Sequence, residues 1–206
     1  MNRDEIRSFL ALDLPENMVR FLEDILNRLK KSRADVRWVN PSSIHLTIKF
    51  LGNVNSSRIP EIERNLRPIF SVQQQLELET TGIGAFPNLR QPRVVWAGVT
   101  EASGRLARIV STVEDVFLER GFQKEIKSFT PHLTLGRARS SKGKEELVEL
   151  INSMGSNPRI RFVVDRAILF QSVLEPTGAR YSALSVFDLP KFVVPSQPTS
   201  TTSSEI

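Results

Sequence analysis

Cysteine is absent from all 206 residues. That absence excludes disulfide bracing, thiolate metal sites and cysteine nucleophile chemistry, and it suits a reducing interior. Long apolar runs are missing too, so no segment reads as a membrane span. The opening Met1-Asn2-Arg3-Asp4-Glu5 is too polar for a secretory leader, and the apolar stretch Phe9 to Leu14 is short and interrupted by Asp13. A cytoplasmic protein with no membrane association is the expectation. Histidine is scarce: there are two, at positions 45 and 132. Two imidazoles with no carboxylate beside them do not make a zinc site, so no metal is expected. Gly82-Ile83-Gly84 lacks the later Gly and Lys of a phosphate-binding loop and reads as turn glycines.

What is present is ordinary in bulk and unusual in detail. Hydrophobic residues make up 40% and charged residues 25%, the balance of a chain that buries a core without staples. The formal charge is +5, a modest excess that favours anionic ligands slightly. Arg137-Ala138-Arg139 with Lys142 and Lys144 forms a basic cluster that could guide RNA or simply be a solvated face.

The two histidines head the same phrase. His45-Leu46-Thr47-Ile48 occurs in the first half and His132-Leu133-Thr134-Leu135 in the second. In a strand, residues i and i+2 point to one face, so each phrase presents an imidazole beside a hydroxyl. One His-x-Thr could be a satisfied strand histidine next to a common strand residue. Two copies that use every histidine in the chain point to function. An imidazole titrates near ~6.5, so one can hold a proton while the other accepts one near neutral pH. That pair suits phosphodiester cleavage, in which a nucleophile loses a proton and a leaving oxygen gains one. Hydroxyls and a nearby cation suit the charge on the non-bridging oxygens. Alternation places Lys49 with His45 and Thr47. It turns Arg137 away unless the second strand bulges. Phe129 is the candidate for base stacking, while Trp38 and Trp96 are read as packing residues.

Hydropathy patterning predicts strands over 7–14, 36–39, 45–51, 76–83, 93–99, 129–137, 160–174 and 180–189, with helices over 15–32, 57–70, 103–120 and 143–154. Residues 52–57 and 84–92 read as loops. A helix followed by a motif strand occurs once in each half, as in an internal duplication. Residues 1–190 are expected to form one bilobal domain. Residues 191–206, rich in Pro, Ser and Thr, read as a disordered tail.

The paired phrases resemble those that define the two-histidine phosphoesterase superfamily. Within it the chain is similar to the RNA 2′,3′-cyclic phosphodiesterases, also called 2′-5′ RNA ligase-like proteins. Further resemblance lies in Arg7 to Pro15, Arg37-Trp38-Val39, Lys49-Phe50-Leu51-Gly52, Gly82 to Pro87, Val95 to Val99, Phe129-Thr130-Pro131 and Leu169 to Leu174. The likeness runs from about residue 6 to about residue 190.

This resemblance implies an α+β, bilobal, pseudo-two-fold duplicated fold, with antiparallel sheets lining a central cleft and helices outside. It implies metal-independent, cofactor-free hydrolysis of RNA 2′,3′-cyclic phosphate ends to 2′-phosphates, with tRNA fragments among the candidate substrates. By the same resemblance His45 is the proton donor and His132 the proton acceptor, while Thr47, Thr134 and Arg137 hold the phosphate. Lys49 is a further phosphate-binding candidate from its strand position. Joining RNA ends through a 2′-5′ linkage would be a side activity, and a monomer is expected. Two alternatives stay open: a cyclic phosphodiesterase for small nucleotides, and a non-catalytic module that binds RNA ends.

Overall fold

Each of the four α-helices among the described residues carries one apolar stripe, and that stripe decides which side meets the sheet. In α1 (Glu16–Leu29) the stripe is Met18, Leu22, Ile25, Leu26 and Leu29, all buried. Burying one such side chain contributes about 1.5–3 kcal/mol. In α2 (Ile59–Ser71) it is Ile62, Leu66, Ile69 and Phe70. Pro60 sits in the first turn, where its missing N–H costs little. In α3 (Arg105–Leu118) it is Leu106, Ile109, Val110, Val113 and Phe117, and in α4 (Lys144–Met154) Leu147, Ile151 and Met154. The computed structural model describes residues 4–155, 159–176 and 178–191. The tail expected over 191–206 lies outside the described residues except for Lys191.

Among the described residues nine strands form one antiparallel sheet. They are β1 (Glu5–Leu12), β2 (Val36–Trp38), β3 (Leu46–Asn55), β4 (Leu76–Phe86), β5 (Val94–Thr100), β6 (His132–Ala138), β7 (Arg161–Val164), β8 (Arg166–Glu175) and β9 (Gly178–Asp188). Their order across the sheet is β7-β4-β5-β6-β3-β1-β8-β9, with β2 pairing on β6. The order divides at its centre into two four-strand halves, one containing each motif strand. The sheet curls into a half-barrel with the helices outside, the α+β architecture that the resemblance implies. The halves join at a single ladder pair, Leu46 with Leu133.

Three elements depart from the sequence expectation. The stretch 160–174 is two strands, because the chain changes partner at Asp165: β7 pairs with β4, whereas β8 pairs with β1. Both are apolar-rich, and hydropathy does not register a change of partner. β3 continues through 52–55, read as loop, because Gly52 adopts φ +74 opposite Ser8 and the ladder resumes to Asn55. Gly82 and Gly84 are strand residues of β4, not turn residues. Gly82 follows a bulge at Thr81, and a Cβ at Gly84 would lie 2.4 Å from the Trp96 ring.

Candidate active site

Both histidines are held in the same way. The Asn40 side chain accepts a hydrogen bond from the Ser42 N–H and so caps the short turn Pro41–Ser43. That turn delivers the Ser43 carbonyl to His45 Nδ1 at 2.9 Å. The Thr130 carbonyl meets His132 Nδ1 at 2.7 Å. A carbonyl can only accept, so Nδ1 carries the hydrogen in both rings, and Nε2 is the atom left for chemistry.

The Leu46–Leu133 pair sets the arrangement across the cleft. Each leucine is the middle residue of its own His-x-Thr. Antiparallel register around this pair places His45 against Thr134 and Thr47 against His132, with all four on the face opposite the buried leucines. The arrangement alternates imidazole and hydroxyl around one point. His45, Thr47 and Thr134 line a pocket of about 190 Å³. His132 stands beside that lining, half-buried, on the same face of β6 as Thr134.

A bulge follows each threonine, and the two bulges re-aim what comes next. On β3, Thr47 pairs with Ala11 and Lys49 with Leu10, which leaves Ile48 as the extra residue. On β6, Thr134 pairs with Trp96 and Gly136 with Val95, which leaves Leu135 extra. The residue five positions after each histidine therefore returns to the cleft: Phe50 in one copy and Arg137 in the other, both lining the pocket. The bulge that Arg137 required is present.

The bulge at Ile48 on β3 overturns the placement of Lys49. Its side chain turns to the helix side, 4% exposed, where Nζ meets Glu114 Oε2 at 2.8 Å and donates to the Gln123 carbonyl at 3.0 Å. Lys49 is thus a buried ion-pair residue and not part of the pocket. Phe129 is also corrected: it packs, half-buried, against the hydrophobic core and does not line the pocket. Trp38 packs against the core. Trp96 lies 5.1 Å from Phe86, with its indole N–H buried and unpaired.

The environments of the two imidazoles are unequal. His45 is stacked on Phe9 at 4.6 Å and meets the edge of Tyr181 at 5.1 Å. Burial lowers its pKa from 6.5 to about 4, against a smaller opposing effect of the Ser43 carbonyl. This burial keeps His45 uncharged at neutral pH. His132 has Phe86 against it, edge-on at 5.0 Å. Burial raises the pKa of the Tyr181 phenol, while the positive charges of Arg137 and Arg7 act in the opposite direction. The phenol remains protonated and can donate.

Arg7, Phe50 and Tyr181 line the pocket without having been singled out in the sequence. Arg7 shared a strand face with Phe9, but nothing in the primary structure places β1 beside β3. Phe50 had a usable signal in the offset between the two phrases, which matches it to Arg137. Tyr181 had none. Among the described residues no group of three or more His, Cys, Asp or Glu side chains is placed to hold a metal ion. None of the described helices is long and apolar enough to cross a membrane.

Comparison with known proteins places the chain in a family. The 2′-5′ RNA ligase superfamily matches residues 15–174. An RNA 2′,3′-cyclic phosphodiesterase of Methanothermobacter thermautotrophicus is 33% identical over 185 residues, covering 90% of this chain and all of the relative. The protein of the same name from Thermotoga maritima is 33% identical over 180 residues, covering 87% and 93%. Among solved structures, a Thermus thermophilus protein superposes with a TM-score of 0.75 at 25% identity, over 90% of this chain and 99% of that one. Escherichia coli LigT, solved with 3′-AMP, shares the fold at a TM-score of 0.68 and 23% identity, over 90% and 98%. The chain belongs to the 2′-5′ RNA ligase superfamily.

Proposed function

We propose that this member of the 2′-5′ RNA ligase superfamily is an RNA 2′,3′-cyclic phosphodiesterase that opens the cyclic phosphate to a 2′-phosphate without a metal ion. The observation that carries the reading is the Leu46–Leu133 pair, which gathers two imidazoles and two hydroxyls around one point. The names of the relatives support the substrate class.

The chemistry balances with the chain's own groups. Water forms the new P–O bond as the bond from phosphorus to the 3′ oxygen breaks. His132 Nε2 takes the proton from water, and His45 Nε2–H gives one to the departing 3′ oxygen. The Thr47 and Thr134 hydroxyls donate to the non-bridging oxygens, and Arg137 offsets the charge that develops there. In this reading Phe50, 58% exposed at the pocket rim, stacks on the terminal base. A 5′ hydroxyl of a second RNA, tRNA fragments included, replacing water in the same step would leave a 2′-5′ linkage.

Burial of His45 bears on the roles. Its proton must arrive with the anionic substrate, whose charge favours the imidazolium. The lowered pKa of the buried ring favours a second reading with the roles exchanged, in which the uncharged His45 is the base.

The test is incubation with an RNA oligonucleotide ending in 2′,3′-cyclic phosphate, with EDTA present, followed by identification of the product phosphate. A 2′-phosphate is expected. A 3′-phosphate would refute the regiochemistry, and loss of activity on chelation would refute metal independence. No reaction, with 2′,3′-cyclic mononucleotides opened instead, would move the substrate to small nucleotides.

A further inference from the structure

A second concavity, of about 530 Å³, opens beyond the far end of β6. Its walls are the β4–β5 connection, the segment that follows β6, and the first residue of α4. Arg90, Arg93, Arg139 and Lys144 line it. The connection is built rather than loose. The Asn88 side chain accepts from the N–H groups of Arg90 and Gln91 at 3.0 and 3.1 Å. Arg93 N–H donates to the Phe86 carbonyl at 2.8 Å, and the Arg93 carbonyl accepts from Ala138 N–H at 3.0 Å. Opposite, Arg139 N–H donates to the Asp35 carbonyl at 2.9 Å.

Most of the positive charge in this groove is unspent. Lys144 pairs with Glu145 at 3.2 Å, and the Asp35 carboxylate accepts from the Ser140 hydroxyl at 2.7 Å. Among the described residues the guanidinium groups of Arg90, Arg93 and Arg139 make no ion pair or hydrogen bond. Three exposed forks held on an ordered backbone suit phosphate oxygens.

Position identifies which phosphates. Arg137 faces the catalytic pocket, Ala138 begins the groove, and Arg139 lies two residues on, about 7 Å along an extended chain. That step is comparable to the spacing of neighbouring phosphates in an extended single strand. We infer that the Arg90–Arg93–Arg139 groove carries the phosphodiester backbone of a single-stranded RNA, 5′ of the nucleotide whose cyclic phosphate lies between His45 and His132. The inference rests on the function proposed above and adds that the substrate is a strand rather than a mononucleotide.

A fluorescently labelled RNA dodecamer ending in 2′-phosphate tests this by anisotropy, because the probe is not turned over. The Arg90→Gln/Arg139→Gln double variant should bind it roughly tenfold more weakly. The salt dependence of log K should become shallower by about 1.4, or 0.7 for each single-strand phosphate that is no longer neutralised. Hydrolysis of a 2′,3′-cyclic mononucleotide should not change. Unaltered dodecamer binding, or equal losses for the dodecamer and for 2′-AMP, would overturn the inference. Equal competition by a poly-glutamate peptide of matched charge would reassign the groove to acidic protein. Groove-dependent binding by a wild-type protein that leaves cyclic ends intact would uphold the groove and refute the proposed hydrolysis.

Discussion

Leu46 and Leu133 pair with each other at the one point where the two halves of the sheet join, and each is the centre of its own His-x-Thr phrase. Equivalent residues that pair mark the pseudo-two-fold axis. A duplicated phrase on one strand face would otherwise give two separate imidazole–hydroxyl pairs. Meeting at their own midpoints, the two copies become one site in which each histidine faces the other copy's threonine.

His45→Ala and His132→Ala should each lower turnover by about 10²–10⁴-fold. A cyclic substrate carrying sulfur in place of the 3′ oxygen separates the roles, because a thiolate departs without needing a proton. Rescue of the His45 variant alone assigns His45 as donor. Rescue of the His132 variant alone exchanges the assignments.

Stability should fall as pH drops from about 6.5 to about 4. The unfolded chain binds a proton at His45 in that window and the folded chain does not, so acid favours unfolding there. Full development of this difference amounts to about 3 kcal/mol. His45→Phe removes the titration and should flatten the curve of urea midpoint against pH over that range. An unchanged curve would show that the ring is not desolvated in the free protein.

Lys49→Met strands the buried Glu114 carboxylate and should destabilise the fold by about 3–5 kcal/mol in urea unfolding. The Lys49→Met/Glu114→Leu pair should recover part of that loss. Recovery will be incomplete, because Glu114 also accepts from the Glu125 N–H and Lys49 donates to the Gln123 carbonyl. A raised KM with unaltered stability would return Lys49 to the phosphate.

Phe50→Ala and Phe129→Ala should behave oppositely. Losing a base-stacking surface costs about 1–3 kcal/mol of binding, so Phe50→Ala should raise KM about tenfold while stability stays within about 0.5 kcal/mol. Phe129→Ala should lower the melting temperature and leave KM alone.

Gly136→Ala places a Cβ 2.6 Å from Val36 Cγ1 and 2.8 Å from Trp38 Cε3, on the strand that carries Arg137. Overpacking of this kind costs about 1–3 kcal/mol. The variant should lose stability and, through displacement of Arg137, lose more turnover than Gly52→Ala, where no atom lies within 4 Å of the added carbon and the cost is the backbone strain of a φ of +74.

Much of this was legible in the chain. The four helices follow from stripes such as Leu22-Ile25-Leu26-Leu29, because a helix period is a local property. The motif strands follow from alternation, and Arg137 was legible as a condition: it could serve only if β6 bulged. Lys49 was misplaced because strict alternation was assumed through Ile48, and a bulge is invisible to a period of two. Phe129 was misplaced because its position before the second motif carries no information on what packs over it.

The sequence by itself determined that the chain has two equal devices, an imidazole and a hydroxyl on one strand face, since side-chain alternation is a property of the strand alone. It could not rank them. Tertiary structure made His45 and His132 unequal, by stacking Phe9 on one ring with Tyr181 edge-on beside it, and setting only Phe86 edge-on against the other. It also decided that position five after each histidine faces the cleft, presenting Phe50 on one side and Arg137 on the other. Both outcomes depend on which strands lie next to β3 and β6, and burial by distant segments sets a pKa that no local pattern encodes.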